Sequence, residues 1–220
     1  YWSENTGTVI ADGYGQTETI NIVGNFPGVE TRFGSMGKPV PGFDINVVDD
    51  NGKILPDGEV GHIAICTEKK WPPGLFHGYL QNKVIVKDSF RHGWYYTGDT
   101  ASRDKDGYLW FVGRSDDLIS SAGYRISPFE VESALLEHDL IAESAVVGVP
   151  DETRGQLVKA YIVLVEGYKG SNELIREIQD FCKNLTAPYK YPRKVEFVDS
   201  LPKTISGKIR RVELREIENK

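Results

Sequence analysis

Within Gly113-Arg114-Ser115-Asp116-Asp117-Leu118-Ile119-Ser120-Ser121-Ala122-Gly123-Tyr124-Arg125-Ile126-Ser127-Pro128-Phe129-Glu130 the pattern of the chain changes. Upstream, residues 34 to 112 are short Val, Ile and aromatic runs, such as Ile45-Asn46-Val47-Val48 and His62-Ile63-Ala64-Ile65. They are punctuated by the turn signals Gly37-Lys38-Pro39, Asp50-Asn51-Gly52, Pro56-Asp57-Gly58 and Lys105-Asp106-Gly107. Such spacing predicts antiparallel hairpins in a small barrel or sandwich. Downstream, Ser127 is a helix N-cap, Pro128 suits the first helical position and Glu130 the third, which together form a capping-box start. Val131, Ala134, Leu135 and His138 follow at helical spacing, and Leu174, Ile178, Phe181 and Leu185 mark a second amphipathic helix after Ser171. Strands at about 144–149, 159–165 and 194–199 alternate with these helices. The class is therefore α+β: a β-barrel-like part, then a small α+β domain, with the boundary near Ser115-Asp116-Asp117.

The 220 residues, 40% hydrophobic and 26% charged, have the composition of a soluble globular protein. A net charge of -6 argues against nucleic acid as the main partner, because neutralising phosphates needs a basic surface. The longest apolar runs, Ala145–Val149 and Tyr161–Val165, fall far short of the roughly 20 residues that span a bilayer. Cys66 and Cys182 have neither disulfide-framework nor zinc-ligand spacing.

Four segments carry chemistry. Tyr14-Gly15-Gln16-Thr17-Glu18-Thr19 places an aromatic ring, hydroxyls and a carboxylate in one loop, able to stack on a base, donate to phosphate and ligate Mg²⁺. A solvated polar turn would read the same. In Trp94-Tyr95-Tyr96-Thr97-Gly98-Asp99 a carboxylate ends an aromatic strand, where it can accept from both ribose hydroxyls or simply make an Asx-turn. Arg114 can add a guanidinium contact to ribose or phosphate, and Gly123 allows close backbone approach to a ligand. Pro202-Lys203-Thr204-Ile205-Ser206-Gly207-Lys208-Ile209-Arg210-Arg211 is a glycine-containing loop with a lysine but no Walker pattern. A cation delivered by such a loop stabilises charge that develops on a phosphoryl group under attack.

Taken together and in this order, the four segments resemble the adenylate-forming superfamily of acyl-CoA synthetases, firefly-type luciferases and peptide-synthetase adenylation domains. The resemblance extends through Gly37-Lys38-Pro39-Val40-Pro41-Gly42, Gly58-Glu59-Val60-Gly61, Phe76-His77-Gly78-Tyr79 and Val149-Pro150-Asp151. Arg154-Gly155-Gln156 and Thr186-Ala187-Pro188-Tyr189-Lys190-Tyr191-Pro192-Arg193-Lys194 are similar to medium-chain acyl-CoA synthetases.

The resemblance implies that residues 1–114 are the C-terminal part of a large AMP-binding domain, with its β-barrel subdomain at about 34–112. Residues 115–220 would be the mobile C-terminal domain. By the same resemblance Tyr14 lines the adenine pocket, Thr17 meets the α-phosphate and Glu18 is the Mg²⁺-associated carboxylate. Asp99 holds the ribose hydroxyls with help from Arg114, Asp116 is the hinge, and Gly123 lies beside the pantetheine channel. Arg125 and Lys183 face CoA phosphates, and Lys208 is the lysine essential for adenylation.

The family's Ser/Thr/Gly-rich phosphate loop ending in Lys is absent, so the chain reads as a C-terminal portion beginning abruptly at Tyr1. The implied parent is an AMP-forming acid-thiol ligase using ATP, Mg²⁺ and CoA in the cytoplasm, or in the mitochondrial matrix of a eukaryote. Its partners would be a carboxylic acid, CoA and the missing N-terminal part, with neither nucleic acid nor membrane. An aryl-CoA ligase, a carrier-protein-loading enzyme and a non-catalytic partner-binding domain are the alternatives.

Overall fold

A computed structural model describes residues 2–79 and 88–218, so Tyr1 lies outside the described residues. The chain divides into two compact units, Tyr1–Ser115 and Asp116–Lys220, each with its own core.

The first unit opens with the short helix α1 (Trp2–Thr6), then forms a three-stranded antiparallel sheet of β1 (Gly13–Gln16), β2 (Ile20–Gly24) and β3 (Lys38–Pro39). β1 and β2 precede the region predicted to be β: β1 is polar and glycine-rich, and β2 is a short run whose apolar core is Ile22 and Val23. A five-stranded antiparallel sheet follows. It comprises β4 (Ile45–Val48), β5 (Val60–Cys66), β6 (Phe90–Arg91), β7 (Trp94–Arg103) and β8 (Leu109–Arg114), in the order β4-β5-β7-β6 with β8 also on β7. Period-two alternation sets its faces: Ile45, Val47, Ile63 and Ile65 join one core, while Val48, Ala64 and Tyr96 join another. The described strand pairs do not close a barrel.

The second unit has the strands β9 (Ile119–Ser121), β10 (Tyr124–Ile126), β11 (Ile141–Asp151), β12 (Gly155–Leu164) and β13 (Lys194–Phe197). They order as β10-β9-β12-β11, with β13 parallel to β12. β11 and β12 run longer than the sequence predicts because a tight turn at 151–155 carries their ladder to its end. Val158, Ala160 and Ile162 face a core with Val131, Ala134 and Leu135 of helix α2 (Pro128–Leu135) and Leu174, Ile178 and Cys182 of α3 (Asn172–Leu185). Ala145, Val147, Val149 and Tyr161 face the other way, onto Leu214 of α4 (Arg211–Glu218) and onto Leu201 in the loop before it. Helices therefore cover both faces of one sheet.

Both predicted helix starts rest on real caps: the Ser127 Oγ accepts from the Glu130 amide, and the Ser171 Oγ from the Leu174 amide. Each such cap contributes about 1 kcal/mol. α2 ends before His138, whose buried ring accepts from the Leu140 amide through Nδ1 and meets Phe181 edge-on. In α3 the core position falls to Cys182, and Leu185 is exposed. Both cysteines are free thiols. No described helix is long and apolar enough to cross a membrane.

Candidate nucleotide and acyl-transfer site

Asp99 is the centre of the first unit's polar site. β7 skips its ladder to β5 at residues 97–99, and side-chain bonds replace the missing ones. Thr97 Oγ1 donates to the Ile63 carbonyl at 3.0 Å and accepts from the Asp99 amide at 3.2 Å. Asp99 is thereby buried at 6% exposure but not alone. Its Oδ2 accepts from the Tyr14 hydroxyl at 2.6 Å and from Gln16 Nε2 at 2.9 Å. Arg114, half exposed and directly across the β7–β8 pair, brings Nη1 to 3.6 Å from Oδ1. Burial first, then the Asp99 charge, push the Tyr14 phenol far above its usual range, so it remains a donor to the carboxylate.

Gln16 has no role implied by the sequence motifs. It shares the Tyr14 face of β1 by strand periodicity, bonds the Thr97 carbonyl at 2.8 Å and receives the Tyr95 hydroxyl at 3.3 Å. Position two after Tyr14 was the available signal. The β1–β2 turn that carries Thr17 and Glu18 is held by the buried Thr19, whose Oγ1 accepts from the Gln16 amide. It closes with Ile20 at φ 59°, a conformation that strains a β-branched residue. Thr17 is exposed on this turn. Glu18 accepts from the Tyr79 hydroxyl at 2.5 Å, which raises the Tyr79 phenol, and Tyr79 went unassigned in the sequence. Among the described residues no three metal-ligating side chains cluster. Glu18 thus offers one carboxylate, which suits a Mg²⁺ held chiefly by phosphates and water.

The structure therefore brings Tyr14, Asp99 and Arg114 together, with Glu18 and Thr17 on the adjoining turn. The remaining candidates belong to the second unit. Asp116 is exposed at its start. Gly123 forms, with Ala122, the two-residue β9–β10 hairpin turn. Both have positive φ, 49° and 83°, the geometry of a type I′ turn. A Cβ on Gly123 would meet nothing within 4 Å. Arg125 is exposed on β10. Tyr124, beside it, stacks on Tyr189 with ring centroids 4.1 Å apart and links this hairpin to the loop after α3. Lys183 near the end of α3 bonds Asp180 at 2.7 Å and lies over the Tyr191 ring. An exposed pair of this kind is worth too little to hold the ammonium against a phosphate.

Lys208 is exposed in a closed turn: the Thr204 amide donates to its carbonyl at 2.8 Å, and its own amide donates to Thr204 Oγ1 at 3.1 Å. Ile205 at the tip is fully exposed.

The AMP-binding enzyme family matches residues 1–80, and the AMP-binding enzyme C-terminal domain matches residues 130–208. The chain belongs to the AMP-binding enzyme family. Among curated relatives of this family, the mitochondrial acyl-coenzyme A synthetase ACSM3 of Mus musculus is 55% identical over 99% of this chain. The 4-hydroxybutyrate–CoA ligase 1 of Metallosphaera sedula is 58% identical over 99%. The chain spans 38% of the length of each. An anthranilate CoA ligase, AuaEII, solved with anthranoyl-AMP, has 43% identity and a TM-score of 0.85 over 99% of this chain and 41% of its own. MatB of Rhodopseudomonas palustris, solved with ATP, has 33% identity and a TM-score of 0.84 over 98% and 42%.

Proposed function

We propose that this chain is the C-terminal part of an acyl-CoA synthetase that converts ATP, a carboxylate and CoA into acyl-CoA, AMP and pyrophosphate. The observation that carries the reading is the buried Asp99, held by Tyr14 and Gln16 with Arg114 opposite. A carboxylate fixed in this way, with Oδ1 toward the guanidinium, is suited to accept two vicinal ribose hydroxyls. The names of the relatives support the ligase class, and the resemblance of Arg154-Gly155-Gln156 and of residues 186–194 to medium-chain acyl-CoA synthetases supports a medium-chain fatty acid.

Tyr14 would pack against adenine, Thr17 would donate to the α-phosphate, and Glu18 would contribute to a Mg²⁺ that offsets phosphate charge. Lys208 would steady the carboxylate and the α-phosphate as pyrophosphate leaves, since a preplaced cation acts most where negative charge develops. After rotation about Asp116, the Gly123 turn would admit the pantetheine arm, with Arg125 and Lys183 toward CoA phosphates. Residues 1–114 would be the C-terminal part of the AMP-binding domain and residues 115–220 the mobile domain that serves both half-reactions, while the upstream part of the longer polypeptide would supply the first phosphate loop and most of the acyl pocket. The reaction is placed in the cytoplasm, or in the mitochondrial matrix of a eukaryotic source.

The 4-hydroxybutyrate ligase, at 58% identity, favours a second reading in which the acid is short and hydroxylated. ATP–pyrophosphate exchange on the longer polypeptide, run with octanoate, 4-hydroxybutyrate and benzoate, decides between them. Octanoate should be preferred, and the 220-residue chain alone should show negligible exchange. Exchange with none of the acids would defeat the ligase reading.

A further inference from the structure

Beyond the lysine itself, the second unit contains an ionic cluster that no step above uses. Glu132 on α2 is 6% exposed, and its carboxylate receives Arg211 Nε at 3.0 Å and Nη2 at 2.5 Å, together with the Val146 amide at 2.7 Å. Arg211 Nη1 also lies 3.5 Å from Asp117, and Arg215, one turn further along α4, bonds the other oxygen of Asp117. Arg211 stands three residues after Lys208. The opposite flank is tied by Lys203 to Glu143 at 2.6 Å and by the Lys203–Ile209 bridge. Leu201, Ile209 and Leu214 pack below, against Val147 and Tyr161.

We propose that Glu132 and Asp117, acting through Arg211 and Arg215, are positioning residues: a clamp that fixes α4, and with it the Lys208 turn, to the segment that begins at Asp116. This inference rests on the proposed adenylating role of Lys208 and adds what holds that lysine in register. A rigid turn is needed because a displacement of about 1 Å at a reacting centre costs on the order of 100-fold in rate. A lysine on an exposed loop without an anchor would sample many positions. The bidentate Arg211 fork gives orientation that a lysine at position 211 could not. Burial pushes the Glu132 carboxyl up, and the Arg211 guanidinium and Val146 amide pull against it, so the carboxylate depends on both partners.

The test has two arms. In the 220-residue chain, amide hydrogen exchange is compared between the wild type and Glu132→Gln. The amides of Thr204, Lys208 and Arg210 should exchange about tenfold or more faster, while those of β12 hold their rates. Unchanged loop amides, or loop and β12 amides accelerating together, would overturn the clamp. If Glu132→Gln does not fold, Asp117→Asn is read in the same way.

In the longer polypeptide, Lys208→Ala is assayed beside Glu132→Gln. The clamp expects Glu132→Gln to lower kcat for adenylation about tenfold or more with KM for ATP unchanged, and Arg211→Lys to behave likewise. Loss in Lys208→Ala with none in Glu132→Gln refutes the clamp. No loss in Lys208→Ala refutes the catalytic reading of the lysine instead, and the exchange arm still decides the clamp.

Discussion

Asp99 and Arg114 face one another across the β7–β8 ladder, with the guanidinium 3.6 Å from the carboxylate that Tyr14 and Gln16 already occupy on its other oxygen. One oxygen thus accepts from Tyr14 and Gln16, and the other is turned toward the half-exposed Arg114. Asp99→Ala should remove the acceptor for two part-buried donors; Gln16 Nε2 keeps its bond to the Thr97 carbonyl, so the cost should be about 1–3 kcal/mol for the Tyr14 hydroxyl. Asp99→Asn retains an acceptor and should cost less. Urea unfolding midpoints check the order. AMP titration of the longer polypeptide should show weakened binding in both variants, and wild-type affinity in either would remove Asp99 from the ribose role.

Gly15 is the point where β1 bulges against β2. A Cβ there would lie 1.9 Å from the Ile20 carbonyl oxygen, an overlap of backbone that no rotamer can relieve. Gly15→Ala should therefore destabilise the chain by at least 1–3 kcal/mol, roughly the cost of a strained backbone residue, and should displace the turn bearing Thr17 and Glu18. Thermal unfolding measures the first effect. Loss of the protected Gln16 amide, which now donates to Thr19, reports the second.

Much of this was legible in sequence where one local rule decided the outcome. The caps at Ser127 and Ser171, the apolar runs that become β11 and β12, and the change of pattern after Gly113 all follow from neighbours in the chain. The Asp99 cradle was half legible: Tyr14, Asp99 and Arg114 were expected from the resemblance, but Gln16 and Tyr79 enter through contacts spanning 83 and 61 residues. No local pattern encodes those contacts, although its place two residues after Tyr14 puts Gln16 on the same strand face. Sheets of mainly polar strands, such as β1, were missed for the same reason, since pairing and not propensity forms them. The clamp of Glu132 with Arg211, 79 residues apart, was invisible as well.

Tyr161 makes the second unit sensitive to alkali. Burial first, and then its bond to Glu218, push the phenol up to about 12, whereas Lys159 works against this. An unfolded tyrosine titrates near 10. The folded state binds the proton more tightly, so the associated stability is complete below about pH 10 and is lost as pH rises toward about 12. Lys159, whose ammonium Glu196 and Glu218 favour despite burial, adds loss of the same sign. Urea midpoints across that window should fall steeply in the wild type and less steeply in Tyr161→Phe. Parallel slopes would exclude Tyr161 as a source.

Lys208 and Gly123 should separate the two half-reactions of the longer polypeptide, because each is proposed to serve a different one. Lys208→Ala removes the cation from an exposed turn whose backbone bonds do not involve its side chain, so the fold should persist. Adenylate formation should fall by several orders of magnitude, as when a main charge-stabilising group is lost, while CoA transfer from preformed acyl-adenylate largely survives. Gly123→Leu forces a side chain onto φ 83°, at a cost of about 1–2 kcal/mol, but into space where no protein atom lies within 4 Å. The unit should still fold, and the new side chain should obstruct only what passes over the turn. CoA transfer should then fail while pyrophosphate exchange persists. Each variant is assayed both ways, with carboxylate and ATP in one reaction and acyl-adenylate and CoA in the other. Equal loss in both assays for both variants would refute the division of labour between the Lys208 turn and the Gly123 hairpin.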